Sequence, residues 1–223
     1  MKKNLFAEAV SKFLLGMILV CLLIFLPAGT FRFFGGWLLM GILFVPMFCA
    51  GLVMQAKNPQ LLKSRLDAKE KRTEQDLVVK LRGLMFLVGF VVAGLDFRFG
   101  WLPLPSWVSW VAAVLFLTAY ILYAEVLREN TYLSRTIEVQ EDQKVVDTGL
   151  YGIVRHPMYS ATLLLFLSMP LVLGSVLSFL CFLCYPVLII KRLKDEEAFL
   201  EQELPGYADY KMKVKYRLIP GIW

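Results

Sequence analysis

Long uncharged stretches alternate with short charged ones along this sequence. Residues 13–31, 33–56 and 99–124 contain no Asp, Glu, Lys or Arg, and each run is long enough for one membrane crossing. A helix needs about 20 residues to cross about 30 Å of hydrocarbon. The run 83–95 is shorter, but it extends to residue 101 if Asp96 and Arg98 lie at the membrane surface among aromatic side chains. These four runs predict four transmembrane helices.

The last uncharged run, 156–190, has 35 residues, which is too many for one crossing and few for two. Pro170 and Gly174 stand near its middle, where a helix breaks most readily. The run therefore predicts two short spans, roughly 157–172 and 175–193, joined by a tight turn. The whole pattern predicts an all-α, polytopic membrane bundle of about six helices, in which the last two form a hairpin and a charged helix follows them.

Basic residues are confined to alternate loops of this pattern. Of the 24 Lys and Arg residues, 22 lie in residues 2–12, 57–82, 128–155 and 191–217. Under the positive-inside rule these segments face the cytosol, so both termini and the C-terminal helix are predicted to be cytosolic. The 58% hydrophobic composition excludes an ordinary soluble domain, and the net charge of +6 needs no nucleic acid partner to explain it. We expect a single membrane-embedded domain over residues 1–223.

Two of the charged loops carry local structural signals. Asn58-Pro59 predicts the N-cap and the first residue of an interfacial helix. Two short β-prone segments, Thr136-Ile-Glu-Val and Lys144-Val-Val-Asp, flank polar residues and predict a small hairpin before Gly149. The four cysteines all lie in apolar stretches and predict neither a disulfide nor a metal site.

Candidate chemistry lies at the predicted cytosolic rim of the bundle. The spans hold few ionisable residues, which disfavours an ion channel or a proton-coupled transporter. The stretch Arg155-His156-Pro157-Met-Tyr159 comes directly before a span, and Pro157 fits the first turn of a helix. The backbone amides that follow can receive an anionic group. The same stretch also suits a plain interfacial anchor, so both interpretations stay open.

A second polar cluster follows the last span. Arg192 and Glu196 are four residues apart and share one helix face, with Glu197 on an adjacent face. Two phenols and a guanidinium come next in the chain: Tyr207, Tyr210 and Arg217. Because the last two spans form a hairpin, Arg155 at its beginning must lie near Arg192 at its end. The topology therefore predicts one polar pocket at the rim.

These motifs resemble the C-terminal signature of the isoprenylcysteine carboxyl methyltransferase family and its phospholipid methyltransferase relatives. The resemblance covers about residues 130–221 and rests on four elements in the expected order: Arg155-His156-Pro157-Met-Tyr159, Arg192-Leu-Lys-Asp-Glu196-Glu197-Ala-Phe-Leu200, Tyr207-Ala-Asp-Tyr210 and Arg217-Leu-Ile-Pro220. The segment Asn58-Pro59-Gln-Leu-Leu also resembles bacterial-type members, which extends the likeness to the second loop. It implies an all-helical integral membrane enzyme that uses S-adenosylmethionine without a Rossmann sheet. Consistently, the chain has no Gly-x-Gly-x-x-Gly motif.

The resemblance also implies roles for individual residues. Residues 130–221 would form the cofactor-binding and catalytic half, with Arg192 and Glu196 as the catalytic residues that orient the acceptor. The cofactor-binding residues would be Gly149, Tyr151, Arg155, His156, Tyr159, Glu197, Tyr207, Tyr210 and Arg217. His156 would either pack on the adenine or hydrogen-bond the loop.

The acceptor would be a lipophilic or membrane-associated molecule that arrives through the bilayer. A carboxylate is the first expectation; if the nucleophile is a thiol or an amine, Glu196 is the nearest candidate base. Membrane lipids are expected partners, and no obligate protein partner is inferred.

Two other functions stay open at this point. Membrane sterol-type reductases, which bind NADPH, share a similar Arg-His-Pro element, although the paired Glu196-Glu197 favours the methyltransferase. A non-catalytic small-molecule binder or transporter on the same scaffold is the third possibility.

Overall fold

A computed structural model describes residues 2–66, 73–130, 132–133, 139–140 and 142–223. Its helices are α1 (Lys2–Ala28), α2 (Phe34–Lys57), α3 (Pro59–Leu66), α4 (Thr73–Phe99), α5 (Ser106–Glu129), α6 (Pro157–Val172), α7 (Val176–Phe182), α8 (Cys184–Glu203) and α9 (Tyr207–Lys213), with a 3-10 turn at Gly149–Gly152. Within the described residues, extended pairing is limited to one isolated bridge between Pro103 and Ser175. The all-α prediction is therefore confirmed.

Among the residues that the structure describes, five helical stretches are long and apolar enough to cross a membrane: Leu5–Ala28, Phe34–Lys57, Leu77–Phe99, Ser106–Glu129 and Val176–Glu203. The apolar helix α6 has only 16 residues. At 1.5 Å per residue it is about 24 Å long, which is short of the roughly 30 Å of a bilayer core. The count of six crossings stays a prediction for this reason.

The turn of the last hairpin forms at Gly174 and not at Pro170. Pro170 lies inside α6, whereas Gly174 follows its end with a φ of +72°, a left-handed conformation that glycine adopts without penalty. Asp96, only 1% exposed, holds the turn by accepting hydrogen bonds from Ser175 Oγ at 2.5 Å and from Leu102 N at 2.8 Å. The predicted break was thus correct in place to within a few residues, and a buried carboxylate secures it.

The core of the bundle lies between α1, α2, α4, α5, α6 and α8. Its fully buried members include Ile24, Leu39, Phe116, Phe182 and Tyr185. Phe182 meets Phe86 edge-to-face at 5.4 Å, and Tyr185 meets Phe166 edge-to-face at 4.8 Å. Such aromatic pairs add to the packing energy of a core. Here they clamp α4, α6, α7 and α8 together and so set where α6 starts and α8 ends.

The charged loops agree in part with their predictions. Helix α3 begins at Pro59, and Asn58 caps it by accepting a hydrogen bond from Leu61 N at 3.1 Å. The predicted hairpin falls partly on residues 134–138 and 141, which lie outside the described residues. Its described part forms a turn, in which Gln143 N donates to Gln140 O at 3.1 Å, and residues 142–148 contain no strand.

Candidate active site

The Arg-His-Pro stretch forms the beginning of α6, as its sequence predicts. His156 is the N-cap residue and Pro157 the first residue of the helix. The amides of Tyr159 and Ser160 both donate to His156 O, at 3.0 and 3.2 Å. The first turn therefore does not offer these two amides to an anion, because the carbonyl of its own cap already accepts from them.

The C-terminal tail closes over this beginning of α6. Arg155 N donates to Tyr216 O and His156 N donates to Arg217 O, both at 2.9 Å. Nη1 of Arg155 donates to the carbonyls of Val214 and Lys215, at 2.8 Å each. The tail after α9 is thereby fixed to the start of α6.

Glu197, on α8, is the centre of the charged network. Its Oε1 accepts from Arg155 Nε at 2.7 Å and from His156 Nε2 at 3.2 Å, and its Oε2 accepts from Arg217 Nε at 2.9 Å. The residue is 3% exposed. A buried carboxylate is costly unless it is paired and hydrogen-bonded, and here three donors from two separate segments meet it. Glu197 consequently joins the start of α6, α8 and the tail into one unit.

Arg192 and Glu196 lie one turn apart on the same face of α8, as predicted, and both contact Tyr159. The Tyr159 hydroxyl donates to Glu196 Oε2 and accepts from Arg192 Nε at 3.1 Å. Arg192 is 5% exposed. The ring of His156 stacks on that of Tyr159, with centroids 5.8 Å apart. These contacts place a guanidinium, a phenol and a carboxylate side by side in the cavity wall.

Three further tyrosines, Tyr151, Tyr207 and Tyr210, line the same cavity and form its phenolic wall. Tyr210 OH donates to Tyr151 O at 2.8 Å, and Tyr151 OH accepts from Asn130 Nδ2 at 3.0 Å. The Tyr207 hydroxyl is buried and has no hydrogen-bond partner within the part of the chain that the structure describes. Because buried polar groups in native proteins are nearly always paired, this hydroxyl is the exception in the wall.

These phenols are neutral donors at physiological pH. Burial raises the pKa of Tyr207 well above its ordinary value of about 10, and the nearby charges of Glu197 and Glu196 raise it further. Burial likewise raises the pKa of Tyr151 and of Tyr210. The wall can therefore donate hydrogen bonds, but it does not supply a phenolate.

Gly149 supports this wall from outside the cavity. Its φ is +52°, and a Cβ at this position would lie 1.4 Å from Glu129 Oε1. Glu129 Oε2 in turn accepts from Leu150 N at 2.9 Å. Because Gly149 has no side chain, Glu129 at the end of α5 can approach and hydrogen-bond the 3-10 turn that carries Tyr151.

The cavity brings together eight of the eleven residues singled out from the sequence: Tyr151, Arg155, His156, Tyr159, Arg192, Glu196, Tyr207 and Tyr210. Gly149, Glu197 and Arg217 do not line it; they hold residues that do. The side chain of His156 hydrogen-bonds Glu197 on α8 and not the loop, so neither of its two predicted contacts is the one observed here.

Other lining residues were not among the predicted site residues, for example Asn130, Tyr132, Lys144, Leu200 and Leu204. Leu200 lies four residues after Glu196 on α8, so helical periodicity could have found it, whereas Leu204 is the extended residue that follows the helix. Asn130 and Tyr132 carry no such signal, because loop residues follow no period.

The fold and the site define an all-helical, multi-pass integral membrane protein with a cavity that joins charged, phenolic and apolar side chains at one end of its bundle. Residues 106–205, just under half of the chain, match the family model described as Phospholipid methyltransferase. The chain therefore carries a phospholipid methyltransferase family domain, which confirms the family predicted from its motifs. The domain runs from α5 through α8 and includes most of the cavity wall.

A Mus musculus protein named Delta(14)-sterol reductase is also similar to this chain. The two are 30% identical over 91 residues, which is 40% of this chain and 22% of the mouse protein. The chain thus spans about a fifth of the length of this relative.

Proposed function

We propose that this protein transfers a methyl group from S-adenosylmethionine to a lipophilic or membrane-associated acceptor, with a carboxylate as the first acceptor to test. The observation that carries the proposal is the cavity itself. Within a phospholipid methyltransferase family domain, a guanidinium, a carboxylate and buried phenols face one space together with the apolar side chains of Met158, Leu200 and Leu204.

The residues of the cavity fit the proposed cofactor in their chemistry. S-adenosylmethionine carries an amino acid, a ribose and an adenine, and it therefore needs hydrogen-bonding groups on one side and an apolar surface on the other. The unpaired donor of Tyr207 and the phenols of Tyr151 and Tyr210 supply the first, and Leu200 and Leu204 supply the second. Arg155, His156 and Tyr159 complete the proposed cofactor contacts, with Gly149, Glu197 and Arg217 holding them in position.

The proposed reaction needs orientation more than acid–base help. When bound, S-adenosylmethionine supplies a methyl group on a positively charged sulfur. Arg192 would pair with an anionic oxygen of the acceptor and Glu196 would fix its orientation, because both lie in the wall beside Tyr159. The buried position of Arg192 excludes water from this pair and so strengthens it. An acceptor carboxylate needs no base; for a thiol or an amine, Glu196 would take the proton.

We place both termini and the cavity on the cytosolic side of the membrane. This orientation is supported by the 22 of 24 basic residues that lie in alternate polar segments. A water-soluble donor would then enter from the cytosol, and the acceptor would arrive from the bilayer, with membrane lipids around the bundle.

A second candidate function is an NADPH-dependent reductase, which is favoured by the similarity to a mouse protein whose name describes a sterol reductase. Titration of the detergent-solubilised chain with S-adenosylhomocysteine, and separately with NADPH, distinguishes the two. We expect thermal stabilisation by the first ligand only; a ligand at 100 times its dissociation constant contributes about 2.7 kcal/mol. Stabilisation by NADPH alone would replace the methyltransferase by the reductase, and stabilisation by neither would contradict both.

A further inference from the structure

The tail after α9 ends in a tight turn with two exposed isoleucines. Ile222 N donates to Ile219 O at 3.1 Å. Pro220 and Gly221 stand between them, and Gly221 has a φ of +80°, which is the pattern of a type II turn. The first and last residues of such a turn lie within about 7 Å of each other. Ile219, 47% exposed, and Ile222, 77% exposed, therefore lie close together on the protein surface.

The turn is fixed to the beginning of the apolar helix α6. Ser160 Oγ donates to Leu218 O at 2.6 Å, and the amides of Leu218 and Ile219 both donate to Trp223 O, at 2.9 and 3.1 Å. Ser160 lies three residues after Pro157, the first residue of α6, which is about 4.5 Å along the helix axis. The tail therefore reaches almost one turn beyond the charged start of α6, to the level of its apolar residues.

The inner side of the turn belongs to the apolar core of the bundle. Leu218 is 5% exposed and is part of the same buried cluster as Ile189 of α8. Trp223 packs against this cluster, and the Arg217 guanidinium lies over the Trp223 ring, 5.1 Å from its centroid. Tryptophan and arginine side chains are typical of the boundary between lipid and water. The 218–223 turn thus lies where the apolar core meets the charged end of the bundle.

We propose that the 218–223 turn is an interfacial anchor whose partner is the bilayer surface on the side of the candidate active site, with Ile219 and Ile222 inserted beside the lipid head groups. In a membrane-embedded bundle, the surface at this level continues the lipid-facing surface of the helices, and exposed apolar side chains there gain free energy of burial from lipid. The anchor lies outside residues 106–205, which match the family, and it does not depend on the proposed function.

The charge of the tail suits the same partner. Residues 210–223 contain four basic residues and no acidic one. A basic stretch beside an apolar tip is the composition of segments that bind the surface of anionic bilayers. Lys215 is exposed three residues before the turn, so its ammonium can reach lipid phosphates while the two isoleucines meet the hydrocarbon.

A first experiment identifies the molecule that lies against Ile222. The photoreactive residue p-benzoylphenylalanine replaces Ile222 in the full chain, and the protein is irradiated in nanodiscs of phosphatidylcholine and phosphatidylglycerol before its adducts are identified by mass spectrometry. The same residue at Ile121 is the positive reference, because Ile121 is 71% exposed within the long apolar helix α5. At Gln202 it is the negative control: Gln202 is exposed on α8, 12 residues or about 18 Å beyond Ile190. We expect the lipid adducts at Ile222 to be within about threefold of those at Ile121 and at least tenfold above those at Gln202.

A second experiment uses a small probe, so it stays decisive if the bulky photoreactive residue disturbs the turn. Ile222→Cys and Gln202→Cys are labelled with a water-soluble maleimide in the same nanodiscs, and the unsubstituted chain gives the background of the four native cysteines. We expect Ile222→Cys to react at least tenfold more slowly than Gln202→Cys, because lipid shields the thiol from the reagent. In sodium dodecyl sulfate, which unfolds both chains, the two rates should be equal.

Two results would overturn the anchor. Lipid adducts at Ile222 no more frequent than those at Gln202, or equally fast labelling of the two cysteine variants in nanodiscs, would place the turn in water. Adducts between Ile222 and a second copy of the chain would assign the turn to a contact between copies and overturn the lipid assignment.

Discussion

The candidate active site and the short helix α3 each contain a buried arginine, and the two guanidiniums differ in their partners. Arg155, 6% exposed, donates to Glu197 and to the carbonyls of Val214 and Lys215. Arg65, 9% exposed, has two nitrogens without a partner in the described residues and lies over the Tyr123 ring, 5.7 Å from its centroid. The hydrogen bonds of Arg155 join the start of α6 to α8 and to the C-terminal tail. Equal burial therefore does not mean an equal role.

The same contrast appears inside the candidate active site. Glu197 has both oxygens engaged by donors of the chain, and it holds the site in shape. Tyr207, ten residues further along the chain, lines the cavity, and its hydroxyl has no partner in the described part of the protein. Preorganised sites commonly show this division, in which outer residues hold the inner ones within reach of the ligand.

The largest expected effect concerns the residues proposed to meet the acceptor. Arg192→Ala and Glu196→Ala should each lower turnover by about 10²–10⁴-fold, because an orienting charge or a base is lost. The bundle should remain folded, as checked by thermal unfolding in detergent. Methyl transfer from radiolabelled S-adenosylmethionine to a membrane lipid extract is the measurement; full activity in either variant would remove that residue from the active site.

The next largest effect is expected at Glu197, which holds the start of α6 and the C-terminal tail against α8. Glu197→Gln removes the negative charge that balances Arg155 and Arg217, and breaking a buried ion pair in this way costs about 3–5 kcal/mol. Denaturant or thermal unfolding should show this loss directly. Glu201→Gln is the control on the same helix: its pair with Lys211 is partly exposed and is expected to matter by less than about 1 kcal/mol. Equal losses in both variants would contradict a clamp at Glu197.

Gly149→Ala is expected to destabilise the protein by about 1–3 kcal/mol, since the new Cβ adds a clash with Glu129 to the cost of a positive φ. Gly100→Ala is the matched control, because Gly100 has a φ of +64° but nothing within 4 Å of its added Cβ. The difference between the two melting temperatures isolates the clash. A loss at Gly149 no larger than at Gly100 would mean that Glu129 moves aside freely.

Tyr207→Phe should separate ligand binding from stability. Removing an unpaired buried hydroxyl should leave the stability unchanged or slightly higher. The affinity for S-adenosylhomocysteine should fall about tenfold, because the variant loses one hydrogen bond to the ligand, which contributes about 1 kcal/mol or slightly more. Tyr210→Phe should lower the stability and leave the affinity for S-adenosylhomocysteine nearly unchanged, because the Tyr210 hydroxyl donates to Tyr151 O. Isothermal titration and thermal unfolding of both variants measure the two quantities; an unchanged affinity in Tyr207→Phe would place the ligand elsewhere.

The smallest effect concerns pH. Burial raises the pKa of Tyr207 and of Tyr210 above that of the unfolded chain, so the folded protein keeps protons that the unfolded chain loses above about pH 10. This contribution to stability is complete below pH 10 and is lost as the pH rises further. We expect no change in stability from these groups between about pH 6 and 9. Above pH 10 the stability of Tyr207→Phe should fall less steeply than that of wild type.

Much of the candidate site was predictable from sequence because its residues come in short motifs on helices. The four-residue spacing placed Arg192 and Glu196 on one face, and the hairpin topology placed the start of α6 beside them. The division of labour between Glu196 and Glu197 was not predictable. Adjacent residues differ by about 100° around a helix, but only packing decides that one faces Tyr159 and the other faces Arg155.

The sequence by itself determined the helices of this protein and its family. Apolar runs in lipid must satisfy their own backbone hydrogen bonds, and a helix does so within the run. The tertiary structure alone decided which buried polar groups are paired, as Glu197 is, and which have no partner among the described residues, as the hydroxyl of Tyr207 and two nitrogens of Arg65 have none. The physical reason is that pairing depends on distances between atoms far apart in the chain, and the order of residues does not contain those distances.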